Sequence, residues 1–160
     1  MQVKDPDISR IVEKIGDHFQ NNVSNRFVRK ALVTLDLQQS EWDRLEGLTA
    51  KSDYYKQNGF TFDDLYEMML AAAHFIQQAR QRLLPNIRGM LAHGSTEKDR
   101  ILRDMAAQNF GANLTIFSDL VNELYQKTVA LDRSFHGKNR PEFERIPELK
   151  DLGRMLVNES

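Results

Sequence analysis

Residues 61–96 read TFDDLYEMMLAAAHFIQQARQRLLPNIRGMLAHGST, and their pattern decides the fold class. Thr61 followed three positions later by Asp64 resembles a capping box, in which side chains satisfy the orphan N–H groups of a helix's first turn. Asp63 and Asp64 suit the positive N-terminal end of the helix dipole, and Arg80 and Arg82 suit its negative C-terminal end. Between them, Met68 to Ile76 contains a single polar side chain, His74. A helix that is apolar all round is normally a buried one. The stretch therefore predicts a central helix over about 62–84, ended by Pro85 because the residue before a proline is pushed out of the α region. From Met68 to Thr96 there is also no acidic residue.

Toward the N-terminus, Asp5 followed by Pro6 is a good helix start, since an Asx cap precedes a proline whose missing N–H costs nothing at the first position. Ile8, Ile11, Val12, Ile15 and Phe19 then form one stripe at helical spacing. Phe27, Val28, Ala31, Leu32 and Leu35 lie on nearly the opposite side if the rotation is carried through, which predicts a break or kink near Asn21 and Asn22. Ser40 with Asp43 is a weaker start, followed by a short apolar edge of Trp42, Leu45 and Leu48. Residues 49–60 read as a polar loop containing Asn58-Gly59.

Toward the C-terminus, Thr96 and Asp99 repeat the start signal, and Ile101, Leu102 and Met105 follow on one face. Phe110, Asn113, Phe117, Leu120, Leu124, Lys127 and Leu131 then alternate in steps of three and four, as in a heptad seam. Gly111 is a candidate break within this region, and Ser134 to Pro141 reads as a loop. Pro147 opens a last short apolar helix near 147–157, with Leu149, Leu152, Met155 and Leu156 on its edge. It is too short to be stable alone and is expected to dock on the body or on a partner.

Helical spacing dominates and alternating strand patterns are almost missing. The expectation is an all-α fold, an irregular bundle of about five or six helices in a single domain over 1–160, packed around the helix near 62–84. A chain of 160 residues can bury roughly two thirds of its unfolded surface without staples. The absence of cysteine excludes disulfides, thiolate zinc sites, iron–sulfur ligation and a cysteine nucleophile. The net charge of -1 argues against a non-specific nucleic-acid binder, although Tyr54, Tyr55 and nearby lysines would be its stacking platform. No run of about eighteen apolar residues and no signal-like start are present, so no membrane contact and a cytoplasmic location are expected.

Catalytic signatures are missing: there is no Gly-x-Ser-x-Gly, no phosphate loop, no Glu-x-x-His and no pair of histidines at ligand spacing. No cofactor and no metal are expected. The basic groups carry more information. Arg80, Arg82 and Arg88 lie in one acid-free interval, and Arg26, Arg29 and Lys30 lie in another, between Asp17 and Asp36. Met in space, they would hold an anionic ligand or an acidic partner, because the planar guanidinium fork suits carboxylate and phosphate. His74 would tune that contact by its protonation. The competing explanation is internal pairing with residues 41–67, which carry seven acids against three bases. The apolar run suggests a homodimer through Phe110, Asn113, Phe117, Leu120 and Leu124, or through the last helix. The leading functional expectation is a non-enzymatic interaction module, such as an adaptor, regulatory subunit or export-type chaperone, that offers helical faces to another protein. The alternative is a ligand-sensing bundle with an anionic small molecule held near His74 and the Arg80, Arg82, Arg88 group.

Overall fold

The computed structural model describes residues 3–36, 45–47, 50, 52–89, 96–138 and 141. The start expected at Ser40 with Asp43, the edge at Trp42 and Leu48, and the last helix near 147–157 lie outside them. Within the described residues the chain is an all-α bundle. Its elements are α1 (Pro6–Ser24), α2 (Arg26–Thr34), α3 (Ser52–Asn58), α4 (Phe62–Gln78), a π-helical turn (Ala79–Leu83), α5 (Leu84–Gly89) and α6 (Glu97–His136).

Three of the start signals, at Asp5, Thr61 and Thr96, become caps. The Asp5 carboxylate accepts from the backbone N–H of Asp7 at 2.9 Å and of Ile8 at 3.3 Å. Thr61 Oγ1 accepts from Asp64 N–H at 3.0 Å, and Thr96 Oγ1 from Asp99 N–H at 3.3 Å. These bonds satisfy donors that the helices themselves leave open.

Three helices build the core. Phe19 of α1, Phe75 of α4 and Phe117 of α6 converge, with ring centroids 5.1 Å apart for Phe19–Phe75 and 5.7 Å for Phe75–Phe117. Around them α1 buries its whole expected stripe, from Ile8 to Phe19. The helix α4 buries Leu65, Met68, Met69, Ala72, Phe75 and Ile76, so its reading as an interior helix holds. The helix α6 is the longest element and packs against α1, α4 and α5. It runs antiparallel to α1 and α4. Phe135 and His136, at its end, meet Phe62 at the start of α4, and Lys127 pairs with Asp7 at the start of α1.

The N-terminal segment is pinned beside α4. Val3 and Phe60 exchange backbone hydrogen bonds at 2.6 and 2.8 Å. Gly59 makes this approach possible, since its φ is +81° and a Cβ there would lie 2.8 Å from the Val3 carbonyl oxygen. Only glycine meets both demands cheaply.

Five local expectations are corrected. The break between the first two helices falls at Asn25 rather than at Asn21 and Asn22. The Asn25 side chain accepts from the N–H groups of Phe27 and Val28 and so starts α2. Residues 52–58 are helical rather than loop, because Tyr55 is buried and stacks on Phe60 at 4.3 Å while Lys56 reaches Glu13 at 3.0 Å. Gly111 does not divide α6. That helix also continues to His136, where Gly137 ends it at φ 72°, the left-handed position glycine favours.

The fifth correction concerns Pro85, which does not end the helical run. Leu84 N–H donates to the Ala79 carbonyl five residues back. This wider turn opens the backbone just before the proline ring, which in a continuous α-helix would press on the carbonyl four residues earlier. Pro85 then occupies the first turn of α5, where a missing N–H is tolerated.

Candidate functional site

The two acid-free intervals meet. The helix α2 packs against both the π-helical turn and α5, so the elements that carry Arg26, Arg29 and Lys30 adjoin those that carry Arg80, Arg82 and Arg88. The three segments contain no acidic residue. Local sequence explains the arrangement: Val28, Ala31 and Leu32 are buried on one side of α2, and Ala79, Leu83 and Ile87 are buried on the turn and on α5. The bases occupy the remaining faces. Arg26, Arg29, Lys30, Arg82 and Arg88 are all exposed, and Arg80 is half-buried.

Their partners among the described residues bear on the two explanations weighed from sequence. Arg26 lies over its neighbour's ring, with its guanidinium 4.7 Å from the Phe27 centroid, and Arg29 Nε donates to the Val23 carbonyl at 3.4 Å. No ion pair joins Arg26, Arg29, Lys30, Arg82 or Arg88 to a carboxylate among the described residues. Pairing with carboxylates among the described residues therefore does not account for these five, and Glu41 and Asp43, two of the acids weighed from sequence, lie outside those residues. Arg80 is different, being engaged within the chain, as is the half-buried His74. Val33, 81% exposed at the end of α2, adds an apolar contact beside the cations.

Near the ends of these segments are buried polar groups that sequence reading missed. Asn22 lies one turn beyond Phe19 and is only 1% exposed. Among the described residues neither its amide nitrogen nor its oxygen has a hydrogen-bond partner, and the same holds for the buried carbonyl oxygens of Gln78 and Asn86. In the sequence, Asn22 carried only the signal of a helix break.

A second missed feature is at the opposite end of the bundle. Asp132 is fully buried on α6, and His136 Nδ1 lies 2.9 Å from its Oδ1 one turn further on. The i, i+4 spacing is visible in the sequence, but nothing there distinguished this pair from a solvated one. At the same end an open groove of about 390 Å³ is lined by Lys4, Asp5, Pro6, Ser9, Arg10, Glu13 and Lys56. Its charges are mixed, and Lys56 is already held by Glu13, whose hydrogen bond and charge raise the lysine's pKa. The Tyr55 hydroxyl nearby is also pushed up, first by burial and then by Asp64.

The stripe assigned to a homodimer has another use. Phe110, Phe117 and Leu124 are buried in the chain's own core, and Asn113 and Leu120 are half-buried at its margin. A seam through these side chains would require opening the core that Phe117 completes with Phe19 and Phe75. Among the described residues no group of three His, Asp or Glu is placed to hold a metal ion, and no helix is long and apolar enough to cross a membrane.

Comparison of the chain with protein-family models, curated proteins and solved structures finds no match.

Proposed function

We propose that the protein is a helical interaction module that receives an acidic partner protein at the corner formed by α2, the π-helical turn and α5. The observation that carries this reading is the meeting of two acid-free segments with five exposed cations that have no carboxylate of their own among the described residues. Such a patch attracts carboxylates at long range and favours a partner with a matching surface. Val33 and the aliphatic stems of the bases supply the apolar contact that a salt-bridged surface needs in order to hold a partner. A chain whose net charge is -1 but which concentrates its bases in this way suits a local docking site better than general binding to polyanions.

The small-ligand alternative rests on His74 and an enclosed pocket beside the arginines. The groove lined by Lys4, Arg10 and Lys56 is at the other end of the bundle and does not bear on that alternative.

The test is fluorescence anisotropy with a labelled glutamate-rich helical peptide as the acidic surface. Its affinity should fall as salt rises, since exposed charges are screened over about 10 Å at 0.1 M. The triple variant Arg26→Gln, Arg29→Gln, Lys30→Gln should bind more weakly and with a flatter salt dependence. Lys127→Gln, at the opposite end of the bundle beside Asp7, should change neither. Equal binding by wild type and triple variant would refute the reading.

A further inference from the structure

The first nine residues of α6, Glu97 to Met105, contribute no side chain to the core, whose α6 members begin at Ala106. The helix nonetheless starts there with a formed cap at Thr96. Three large apolar side chains on this arm face solvent: Ile101 at 55%, Leu102 at 40% and Met105 at 53% exposure. The stripe continues past the arm. At about 100° per residue, Ile101, Met105, Ala112 and Ile116 fall on one face, turned away from the face that buries Phe110, Leu114 and Phe117. Ala112 and Ile116 are exposed as well.

This face is complementary to itself. When two copies of it are laid antiparallel, with the axis between Gln108 and Asn109, every residue meets a suitable mate. Ile101 faces Ile116. Met105, long and flexible, faces the small Ala112. Gln108 faces Asn109, an amide pair at the centre. At the two ends Lys98 faces Asp119, both exposed, and neither has an ion-pair partner in its own chain among the described residues. An isologous two-fold interface requires such matching in reverse order along one surface. A polar pair at the centre of an apolar seam fixes register at some cost in stability. A partner of unrelated sequence would demand none of this symmetry.

We infer that two copies of the chain pair antiparallel through the outer face of α6 from Lys98 to Asp119, a contact about 32 Å long at 1.5 Å per residue. The surface is distinct from the basic corner, so one can be disabled without the other. It is also a different face of α6 from the one that Phe110, Phe117 and Leu124 occupy.

Sedimentation equilibrium of the full chain tests this through paired charge reversals. The wild type should show a reversible monomer–dimer equilibrium. Ile101→Lys with Ile116→Lys should give a monomer with unchanged helicity. Lys98→Asp alone and Asp119→Lys alone should each weaken the dimer at least several-fold, because each sets like charges together at both ends. The combined Lys98→Asp, Asp119→Lys variant should restore it. A wild type that stays monomeric at millimolar concentration overturns the inference and leaves the stripe to a different chain. A dimer insensitive to the Ile101 and Ile116 changes, or one that the combined reversal fails to restore, overturns it equally.

Discussion

Phe19 and Phe75 meet edge to face at 5.1 Å, and each stands thirteen positions after the first residue of its helix, Pro6 for α1 and Phe62 for α4. The two helices therefore run parallel from a common end, where Val3 bonds Phe60. This relationship explains why α2, which follows α1, lands on the π-helical turn, which follows α4. The basic corner is thus a consequence of helix register. Truncating either ring to Ala should cost about 3–5 kcal/mol, the range for a buried phenylalanine. Urea denaturation of both single variants and the double variant should give a coupling of about 0.5–1.5 kcal/mol, as expected for an aromatic pair.

Two glycines should respond to alanine in opposite directions. Gly59→Ala forces a side chain into a left-handed backbone against the Val3 carbonyl, and it should destabilise by at least about 1–2 kcal/mol. Gly111 is inside α6 with nothing within 4 Å of the position of a Cβ. There the substitution should stabilise by about 0.5–1 kcal/mol by lowering the entropy lost on folding. Thermal denaturation of the two variants checks both signs.

Asn22 offers a test of a buried polar group. Its buried amide makes no hydrogen bond to another group among the described residues, a condition that costs about 1–3 kcal/mol. Asn22→Leu keeps the approximate volume and removes the polar atoms, so the melting temperature should rise. A fall of several degrees would show that the amide is engaged.

Tyr55 should make stability fall at alkaline pH. Burial first, and then the negative charge of Asp64, raise the folded-state pKa above the ordinary 10.0. The folded state then holds a proton that the unfolded chain releases, so the contribution is fully present below about pH 10 and is lost as pH rises through the folded pKa. Chemical denaturation between pH 8 and 11 should show this decline, and Tyr55→Phe should flatten it.

What could be read from the sequence was largely local. The caps at Asp5, Thr61 and Thr96 depend on two or three neighbouring residues, and all three formed. The stripes of α1 and α4 have a strong helical period, and both are buried. Register and long-range partners were less legible. Pro85 reads as a stop because the rule assumes an α-helix before it, and only the π-helical turn evades that assumption. Periodicity pointed to Asn21 and Asn22 as the break and carried no signal for Asn25, three residues on, whose side chain caps the second helix. The short helix α3 depends on Tyr55 stacking over Phe60 and on Lys56 reaching Glu13, contacts that no local pattern encodes. The bases of the candidate site were found as a deficit of acids, while their meeting depended on the parallel register of α1 and α4.

The central claim is that the corner of α2, the π-helical turn and α5 receives an acidic partner, and amide chemical-shift mapping tests it most directly. Nitrogen-15-labelled protein would be titrated with the glutamate-rich peptide at low salt and again after salt is added. The account predicts shifts concentrated in residues 26–34 and 79–89, excepting Pro85, which lacks an amide proton, and reversed by salt. Shifts confined to the groove around Lys4, Arg10 and Lys56, or no shifts at all, would contradict it.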